Sequence, residues 1–320
     1  MEINKIYNEP CLETLKKMPN EFLDCVISSP PYWQLRDYGY NGQWGLEPTF
    51  QEYLEHLWEM MDEIYRVLKP NGTCWINLGD TYNNSGWSGN RKDKYNDQPI
   101  VASGTKAGRG GQKGFPDKCL ILIPHRFAIG CIDRGWLVRN DIIWAKRNGM
   151  PEPVNDRFTK KHEYIFLMTK SKKYYFDLDA IRDEHKSLAD LEKRIKNGKS
   201  EWKTDLAAEI YSVSGKGRDR TELYNEKGKN PGSVSDFWDV KTKPSSSKHY
   251  ASYNIELITK PILAGCPENG LIYDPFMGTG TTAIHAINNN RKFIGSEMSE
   301  DYIKICNERV TNELSKLKLF

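Results

Sequence analysis

The sequence predicts an α/β protein built on a largely parallel sheet. Residues 23–78 alternate between an apolar run of strand length, an amphipathic helical pattern and a second apolar run, and residues 271–296 repeat that order. Successive parallel strands need a crossover connection between them, so strand–helix–strand repeats favour a parallel sheet. The 320 residues are 38% hydrophobic and 28% charged, which is typical of a folded chain with enough material for a sizeable core.

The first of these repeats begins with the β-branched run Leu23–Ile27. Thr49 is then predicted to cap a helix that ends near Leu68, because the hydrophobic residues between them recur at helical spacing. The apolar face comprises Tyr53, Leu54, Leu57, Met61, Ile64, Tyr65 and Leu68. A Lys-Pro-Asn-Gly turn ends the helix before a second buried strand, Thr73–Leu78. Residues 1–23 are predicted to form a short strand or turn followed by a helix.

The middle of the chain is less regular. Residues 83–117 are rich in Gly, Ser, Asn and Lys and predict a long, mobile loop. A helix around 123–134 and a strand at 136–144 follow. Glu163–Thr169 is predicted to pair with Tyr174–Leu178 as a hairpin at one edge of the sheet.

Residues 181–247 are polar, charged and rich in turn-forming residues, and their apolar periodicity is weak. They predict a separate module or insertion with few contacts to the core. Lys and Arg outnumber Asp and Glu in residues 91–118 and 157–229, and Tyr and Trp lie among them. Such a composition suits either a phosphate backbone or a solvated basic surface.

The stretch Ser28-Ser29-Pro30-Pro31-Tyr32 follows the first predicted strand. Neither proline has an N–H group to donate, so the strand ladder cannot continue, and the residue before each proline is pushed towards an extended conformation. A stiff loop therefore leaves the carboxyl end of a strand, which is where open α/β sheets place ligands. On its own this pattern also fits a rigid strand exit that carries no chemistry.

A glycine loop separates the predicted strand 271–273 from a helix at about 282–289. Gly278 and Gly280 would let the backbone turn sharply and approach a ligand closely, and the helix N-terminus would offer unpaired N–H groups. Glu297 ends the next strand and suits a bidentate hydrogen bond to ribose hydroxyls. The spacing also fits the fingerprint of a dinucleotide-dependent dehydrogenase, but too few residues follow it for the rest of such a domain.

Both stretches resemble motifs of one family. Ser29-Pro30-Pro31-Tyr32 resembles the (Asp/Asn/Ser)-Pro-Pro-(Tyr/Phe/Trp) catalytic motif of the DNA amino-methyltransferases, and the segment Asp274–Thr281 (Asp-Pro-Phe-Met-Gly-Thr-Gly-Thr) resembles their S-adenosylmethionine motif. A catalytic motif that precedes the cofactor motif is the permuted order of the β class. The resemblance spans most of the chain. It implies a circularly permuted, Rossmann-like fold of S-adenosylmethionine-dependent methyltransferases, with a small polar target-recognition insertion.

The resemblance also implies a division of the chain and a set of site residues. Residues 1–180 would form the catalytic part of the methyltransferase domain, 248–320 its cofactor-binding part, and 181–247 the target-recognition region. The implied catalytic residues are Ser29, Pro30, Pro31 and Tyr32. The implied cofactor-binding residues are Asp274, Pro275, Phe276, Gly278, Gly280, Thr281, Glu297, Asn8 and His249.

Three of these cofactor-binding roles depend on finer parts of the resemblance. Asp274, at the strand tip, would hold the methionine end of S-adenosylmethionine. Asn8 lies in a segment that resembles the family's Gly-Asp-Cys-Leu, with Tyr7-Asn8 in place of Gly-Asp. His249 begins a His-Tyr-Ala-Ser-Tyr segment that resembles the family's His-Pro/Ala-Ala-x-(Phe/Tyr), which helps to enclose the methionine part.

The resemblance implies a mechanism suited to a poor nucleophile, since the lone pair of a base's amino group is delocalised into the ring. The Ser29 hydroxyl and the Pro30 carbonyl would accept its hydrogens, Pro31 would stiffen the loop, and Tyr32 would stack on a base flipped out of the duplex. Because Ser-Pro-Pro-Tyr leans towards cytosine N4 in the family, that target is favoured, and adenine N6 is the alternative. An RNA or protein N-methyltransferase, or a DNA-binding module without catalysis, is less favoured.

The expected partner is duplex DNA, with a cognate restriction endonuclease as a further candidate and a monomer or homodimer as the assembly. Trp33, Arg36, Lys106, Arg109 and Arg147 are candidates for DNA contact, each with a core or surface role as the alternative. The scattered cysteines and histidines predict neither a metal site nor disulfides. The sequence contains neither an apolar run of membrane length nor a secretory signal, so a cytoplasmic location is expected.

Overall fold

The protein is described by a computed structural model. It covers residues 1–83, 92–93, 96–99, 112, 114–149, 151–152, 154–182, 234–241 and 255–317, with only the backbone described for 92–93 and 96–99. Of the predicted elements, most of the 83–117 segment and most of the 181–247 region lie outside these ranges.

The described strands are β1 (Lys5–Tyr7), β2 (Leu23–Ser28), β3 (Leu68–Leu78), β4 (Lys92–Asp93), β5 (Asn96–Pro99), β6 (Leu137–Ala145), β7 (His162–Thr169), β8 (Phe237–Asp239), β9 (Leu271–Asp274) and β10 (Lys292–Ser296). The described helices are α1 (Cys11–Lys17), α2 (Phe50–Val67), α3 (Ile123–Asp133), α4 (Ile255–Gly265), α5 (Thr281–Asn288) and α6 (Glu300–Leu317). None of the described helices is long and apolar enough to cross a membrane.

One eight-stranded sheet has the order β1-β10-β9-β2-β3-β7-β6-β8. The five strands from β1 to β3 in this order are mutually parallel, whereas β7 runs antiparallel to both β3 and β6. The predicted α/β fold is therefore confirmed. The C-terminal strands β9 and β10 lie between the N-terminal strands β1 and β2, which brings two motifs that are distant in the chain onto neighbouring strands.

Helices cover both faces of this sheet. On one face, α1, α2 and α3 pack against a buried cluster that includes Leu15, Leu57 and Phe127. On the other face, α4, α5 and α6 form a second cluster with Ile262 and Phe293. Burial of these apolar faces supplies the main favourable free energy of folding.

The predicted start of α2 is confirmed, because the Oγ1 atom of Thr49 accepts a hydrogen bond from the backbone N–H of Glu52 at 3.2 Å. The predicted hairpin between Glu163–Thr169 and Tyr174–Leu178 is wrong. Both edges of β7 are already paired, with β3 on one side and β6 on the other, so β7 has no free edge for another strand. The backbone N–H of Tyr175 instead donates to the carbonyl of Asn71 at 2.8 Å.

The sequence predictions did not include helix α4, strand β8 or the short antiparallel ladder of β4 with β5. The β4–β5 ladder lies inside the segment predicted to be a loop. The ladder pairs two short stretches whose polar sequence carries little alternation, so the period-2 signal of a strand is absent there.

The chain divides into two compact units, Met1–Phe176 with Asp236–Phe320, and Asp177–Ser235. The described part of the second unit contains a 3-10 turn at Asp179–Ile181. Strand β8 belongs to the first unit, where it pairs with β6 and where the Nε1 of Trp144 donates to the carbonyl of Val240 at 2.7 Å. The role of residues 181–247 in target recognition stays a prediction.

Candidate active site

The site lies at the edge of the sheet where the parallel strands end. In parallel strands the carboxyl ends lie at one edge, and open α/β sheets bind ligands there. Antiparallel β7 begins at this edge, since Leu78 at the end of β3 pairs with Tyr164, and β6 ends there, since Ala145 pairs with His162. The residues that this topology places at or just beyond the edge are Asn8, Ser29, Gly79, Ala145, His162, Asp274 and Glu297.

The Pro-Pro loop is tied to its surroundings at both ends. The Oγ of Ser28 donates to Oδ1 of Asp274 at 3.3 Å, and the hydroxyl of Tyr53 donates to the Pro31 carbonyl at 2.8 Å. Gly45 passes so close that a Cβ atom there would lie 2.9 Å from the carbonyl oxygen of Tyr32. The loop is thus rigid from its own prolines and from packing, which is the preorganisation that a catalytic loop requires.

Asn77, near the end of β3, sets the hydrogen bonding of the loop. Its Nδ2 donates to the Tyr164 carbonyl at 3.0 Å, so its Oδ1 faces the Oγ of Ser29 at 3.4 Å and the hydroxyl of Tyr32 at 2.9 Å. An amide oxygen can only accept hydrogen bonds. The Ser29 hydroxyl can therefore donate to Asn77 or, at 3.5 Å, to the Tyr32 hydroxyl oxygen, and in both cases the serine lone pairs are left to accept a proton from elsewhere.

Tyr32 is held by a half-buried ion pair. Its hydroxyl donates to Oε2 of Glu163 at 2.7 Å, and the other carboxylate oxygen of Glu163 pairs with the ammonium group of Lys146. Gly79 lies against the tyrosine ring, because a Cβ atom there would be 2.7 Å from Cε2. Burial, followed by the negative charge of Glu163, raises the pKa of Tyr32 well above its ordinary value, so the phenol remains protonated.

Asp274 organises the glycine loop from within the protein. It is only 1% exposed, Oδ1 accepts from the backbone N–H of Phe276 at 3.0 Å as well as from Ser28, and Oδ2 accepts from the Thr282 hydroxyl at 2.6 Å. Both carboxylate oxygens thus fix the strand tip, the loop and the start of α5. This arrangement favours a positioning role for Asp274.

The two glycines of this loop both have positive φ angles but face different surroundings. Gly280 has a φ of +86°, and a Cβ atom there would overlap the Sγ of Cys306 on α6. Gly278 has a φ of +55°, and a Cβ atom there would meet no neighbour within 4 Å. Gly280 is therefore required by both packing and backbone conformation, and Gly278 by conformation alone.

Glu297 follows β10 and is 8% exposed. Its Oε2 accepts from the Gly278 N–H and its Oε1 from the Ser299 N–H, both at 2.8 Å. Burial raises the pKa of this carboxyl group, and the backbone donors partly oppose that shift. The Nδ2 of Asn8 donates to the carbonyls of Glu297 and Met298, each at 3.1 Å, so Asn8 holds this turn in place.

A single cavity joins the two motifs. It encloses about 750 Å³ of space, including its open mouth. The cavity is lined by Glu9, Pro10, Cys11, Ser29, Pro31, Tyr38, Tyr40, Gln43, Trp44, Pro275, Phe276, Gly278, Ser296, Glu297, Met298 and Tyr302. Ser29 and Pro31 of the catalytic motif thus share one wall with Phe276 and Gly278 of the cofactor motif.

The loop at residues 33–48 supplies an aromatic wall of the cavity. The Trp44 ring lies 5.3 Å from that of Phe276 and stacks at 5.5 Å on His56 of α2. Glu47 ties the loop together, because it accepts from the Gly45 N–H at 2.9 Å and contacts Nδ1 of His56 at 3.0 Å. Flat apolar surfaces of this kind suit a purine ring.

Other sequence candidates lie elsewhere. His249, Lys106 and Arg109 lie outside the described residues. Trp33 belongs to the core, with 4% exposure and its Nε1 donating to a backbone carbonyl, and Arg147 pairs with Asp239. The site residues that the sequence predictions missed are Lys146, Glu163, Asn77 and Trp44. Only Asn77 carried a signal, as a polar residue near the end of a buried strand.

The comparisons with known proteins agree with this geometry. The family model described as DNA methylase, for N6- and N4-methyltransferases, matches residues 23–308. The type II methyltransferase M.Cfr9I of Citrobacter freundii is 33% identical over 315 residues, which cover 98% of this chain and 90% of the relative. Among solved structures, the cytosine-N4-specific PvuII DNA methyltransferase has a TM-score of 0.61 at 17% identity, over 98% of this chain and 91% of its own.

A second solved structure similar to this chain is the putative DNA modification methylase TTHA0409 of Thermus thermophilus, complexed with S-adenosyl-L-methionine. It has a TM-score of 0.54 at 20% identity, over 97% of this chain and 93% of its own. The permuted sheet and the cavity at its carboxyl edge define a Rossmann-like, S-adenosylmethionine-dependent methyltransferase fold. The chain belongs to the N6/N4 DNA methylase family and is an S-adenosylmethionine-dependent DNA amino-methyltransferase.

Proposed function

We propose that this enzyme methylates the exocyclic N4 of cytosine in duplex DNA, with adenine N6 as the alternative base. The observation that carries the proposal is the contact of Ser29 with Asn77, which directs the serine proton away and leaves a neutral acceptor at the tip of β2. The PvuII enzyme, which is cytosine-N4-specific, has the same fold. The serine of the motif and the specificity of the PvuII enzyme both favour cytosine N4 as the target.

The target amino group is activated by placement of acceptors rather than by a base of high pKa. The Ser29 Oγ and the Pro30 carbonyl accept its two hydrogens, which draws them out of the ring plane and exposes the nitrogen lone pair. Tyr32 offers its ring face to the flipped base, and the bonds to Glu163 and Asn77 keep that ring in one orientation. Pro31 and the Tyr53 hydroxyl keep the acceptors at fixed spacing.

The cavity is the proposed cofactor site. When bound, S-adenosylmethionine supplies an electrophilic methyl group. Glu297 would receive the ribose hydroxyls, and the wall of Trp44 and Phe276 would receive the adenine, while Gly278 lines the cavity beside them. Gly280 and Thr281 would shape the loop from outside the cavity lining, at the start of α5. Asp274 and Asn8 would not contact the cofactor but would position the loops that form the cavity, because their polar atoms are hydrogen-bonded to those loops.

The remaining assignments are proposals of the same kind. Residues 181–247 would read the DNA sequence, and a restriction endonuclease of the same specificity would be the partner enzyme, as the type II class of the relative suggests. The enzyme would act in the cytoplasm, as a monomer or homodimer. His249 would close the methionine end of the cofactor site.

The experiment that tests the proposal is transfer of labelled methyl groups from S-adenosylmethionine to unmethylated, polymerase-amplified genomic DNA. Nucleoside mass spectrometry then identifies the product, and sequencing of the modified DNA locates the target. N4-methylcytosine is the expected product. N6-methyladenine would overturn the choice of base, and labelling of RNA or protein in place of DNA would overturn the choice of substrate.

A further inference from the structure

The connection between β6 and β7, residues 146–161, lies beside the site. Because β6 ends and β7 begins at the carboxyl edge of the sheet, this connection runs along the same edge as the Pro-Pro loop. The contacts at its two ends confirm the proximity, since Lys146 and Glu163 pair with each other and Glu163 accepts the bond from Tyr32. We call this segment the β6–β7 loop.

The loop has a basic character and an exposed aromatic residue. It contains Lys146, Arg147, Arg157, Lys160 and Lys161, against the acidic Glu152 and Asp156. Between these charges Phe158 is 96% exposed, the largest exposed fraction among the large hydrophobic side chains of the described residues. Leaving a phenylalanine in water forgoes the free energy that its burial would contribute, so a bare ring in a cationic loop needs an explanation.

The residues around Phe158 are anchored. The Arg157 guanidinium lies 3.9 Å from the centre of the Tyr82 ring, pairs with Glu152 and donates to the Phe158 carbonyl at 3.2 Å. Asp156 pairs with Lys118 at 2.7 Å. The phenylalanine is therefore presented from a held backbone, and little conformational entropy would be lost when the ring enters another molecule.

A base that leaves the duplex opens a gap in the stack, and proteins that distort DNA fill such gaps with apolar side chains between base steps. We propose that Phe158 is the wedge of this enzyme: its ring enters the base stack beside the flipped nucleotide, while the exposed cations of the β6–β7 loop, Arg147 and Lys161, contact the flanking phosphates. This inference depends on the proposed action on duplex DNA and adds the residue that stabilises the opened stack.

The test compares four enzymes on two duplexes that carry the target sequence mapped by the methylation experiment. In one duplex the target base is paired normally, and in the other it faces an abasic site, so that its extrusion is already easier. The enzymes are the wild type, Phe158→Ala, Phe158→Leu and the control Ile132→Ala. Ile132 is 53% exposed near the end of α3, which leads into the start of β6 at the opposite edge of the sheet.

We expect Phe158→Ala to lower kcat/KM on the paired duplex roughly tenfold, as for the loss of one aromatic–base stacking contact. On the abasic duplex the deficit should shrink to within about threefold, because less stacking must be broken. Phe158→Leu should retain most activity, since leucine also serves as a wedge. Ile132→Ala should match the wild type on both duplexes, and cofactor affinity and Tm should not change in any variant.

Wild-type rates for Phe158→Ala on the paired duplex would overturn the wedge while leaving the methyltransferase proposal intact. An equal loss on both duplexes would also overturn it, because the residue would then act in something other than opening the stack. If the wild-type enzyme methylates no DNA, the proposed function fails first and this inference fails with it.

Discussion

The contact between Asn77 and Ser29 can be tested by Asn77→Leu, which keeps the approximate volume and removes both polar atoms of the amide. The variant loses the hydrogen bonds of Asn77 with Ser29 and with the Tyr164 carbonyl, and also its 2.9 Å contact with the Tyr32 hydroxyl, whose single proton is donated to Glu163. Tyr32 keeps its bond to Glu163, but the Tyr164 carbonyl loses the amide donor. The free energy of unfolding should therefore fall by about 1–3 kcal/mol, the usual cost of an unsatisfied buried group.

The effect on catalysis should be separate from this loss of stability. Without the acceptor at Asn77, the Ser29 hydroxyl keeps the more distant Tyr32 oxygen as an acceptor, at 3.5 Å, so its proton is held less firmly. The proton can then also point towards the target amino group and remove the lone pair that would accept its hydrogen. Misdirecting one hydrogen bond of about 1–2 kcal/mol lowers kcat roughly 5- to 30-fold. The Kd of S-adenosylmethionine should stay the same, because Ser29 and not Asn77 lines the cavity.

Asn83→Leu is the matched control for this experiment. Asn83 is also buried, and its side chain is bonded to backbone groups, with Nδ2 donating to the Phe115 carbonyl and Oδ1 accepting from the Gln112 N–H, both at 2.8 Å. In urea denaturation, Asn83→Leu should lose about as much free energy of unfolding as Asn77→Leu. In single-turnover assays well below Tm, Asn83→Leu should keep the wild-type rate of methyl transfer. If Asn77→Leu also keeps its kcat, the reasoning about Ser29 is refuted.

Two further predictions concern the cofactor side. Gly280→Ala should lower the free energy of unfolding by about 2–4 kcal/mol, because the backbone is strained at φ +86° and the new methyl group overlaps Cys306. Gly278→Ala should lower it by only about 1 kcal/mol, because only the backbone conformation opposes the substitution. Equal losses of the two variants in urea denaturation would contradict this. Because burial raises the pKa of Glu297, its protonated form stabilises the fold, and this contribution is lost as pH rises from about 4 through the raised pKa. The stability of the wild type relative to Glu297→Gln should therefore fall as pH rises above about 4, and a difference that stays flat with pH would show that Glu297 does not titrate as described. Calorimetry should also show weaker cofactor binding by the variant, by roughly tenfold for one lost charged hydrogen bond.

Local sequence signals were sufficient for the elements that frame the site. The apolar run before Ser29, the cap at Thr49 and the glycines after Asp274 each act within a few residues of the chain. Since turn chemistry, capping and periodicity are local, these elements and the α/β class follow from the sequence. The order of the two motifs along the chain also indicated the permuted connectivity.

The pairing between distant segments of the chain could not be predicted from local sequence signals. The hairpin at 163–178 fitted the local pattern, but the edge of β7 that it required is occupied by β6, and only the whole sheet decides which strands compete for an edge. Likewise, nothing local marks Glu163 as the partner of Tyr32, which lies 131 positions away in the chain. Strand alternation indicates which face a residue occupies but not what it meets there.

The roles within the site divide along the same line. By itself the sequence determined the chemistry available: a serine and two prolines at one strand end, and glycines and two carboxylates at others. Only the tertiary structure decided how each group is used, because burial and hydrogen-bond partners depend on neighbouring strands. Both carboxylate oxygens of Asp274 accept hydrogen bonds from within the protein, whereas Glu297 lines the cavity. Asn77 accepts a hydrogen bond from Ser29.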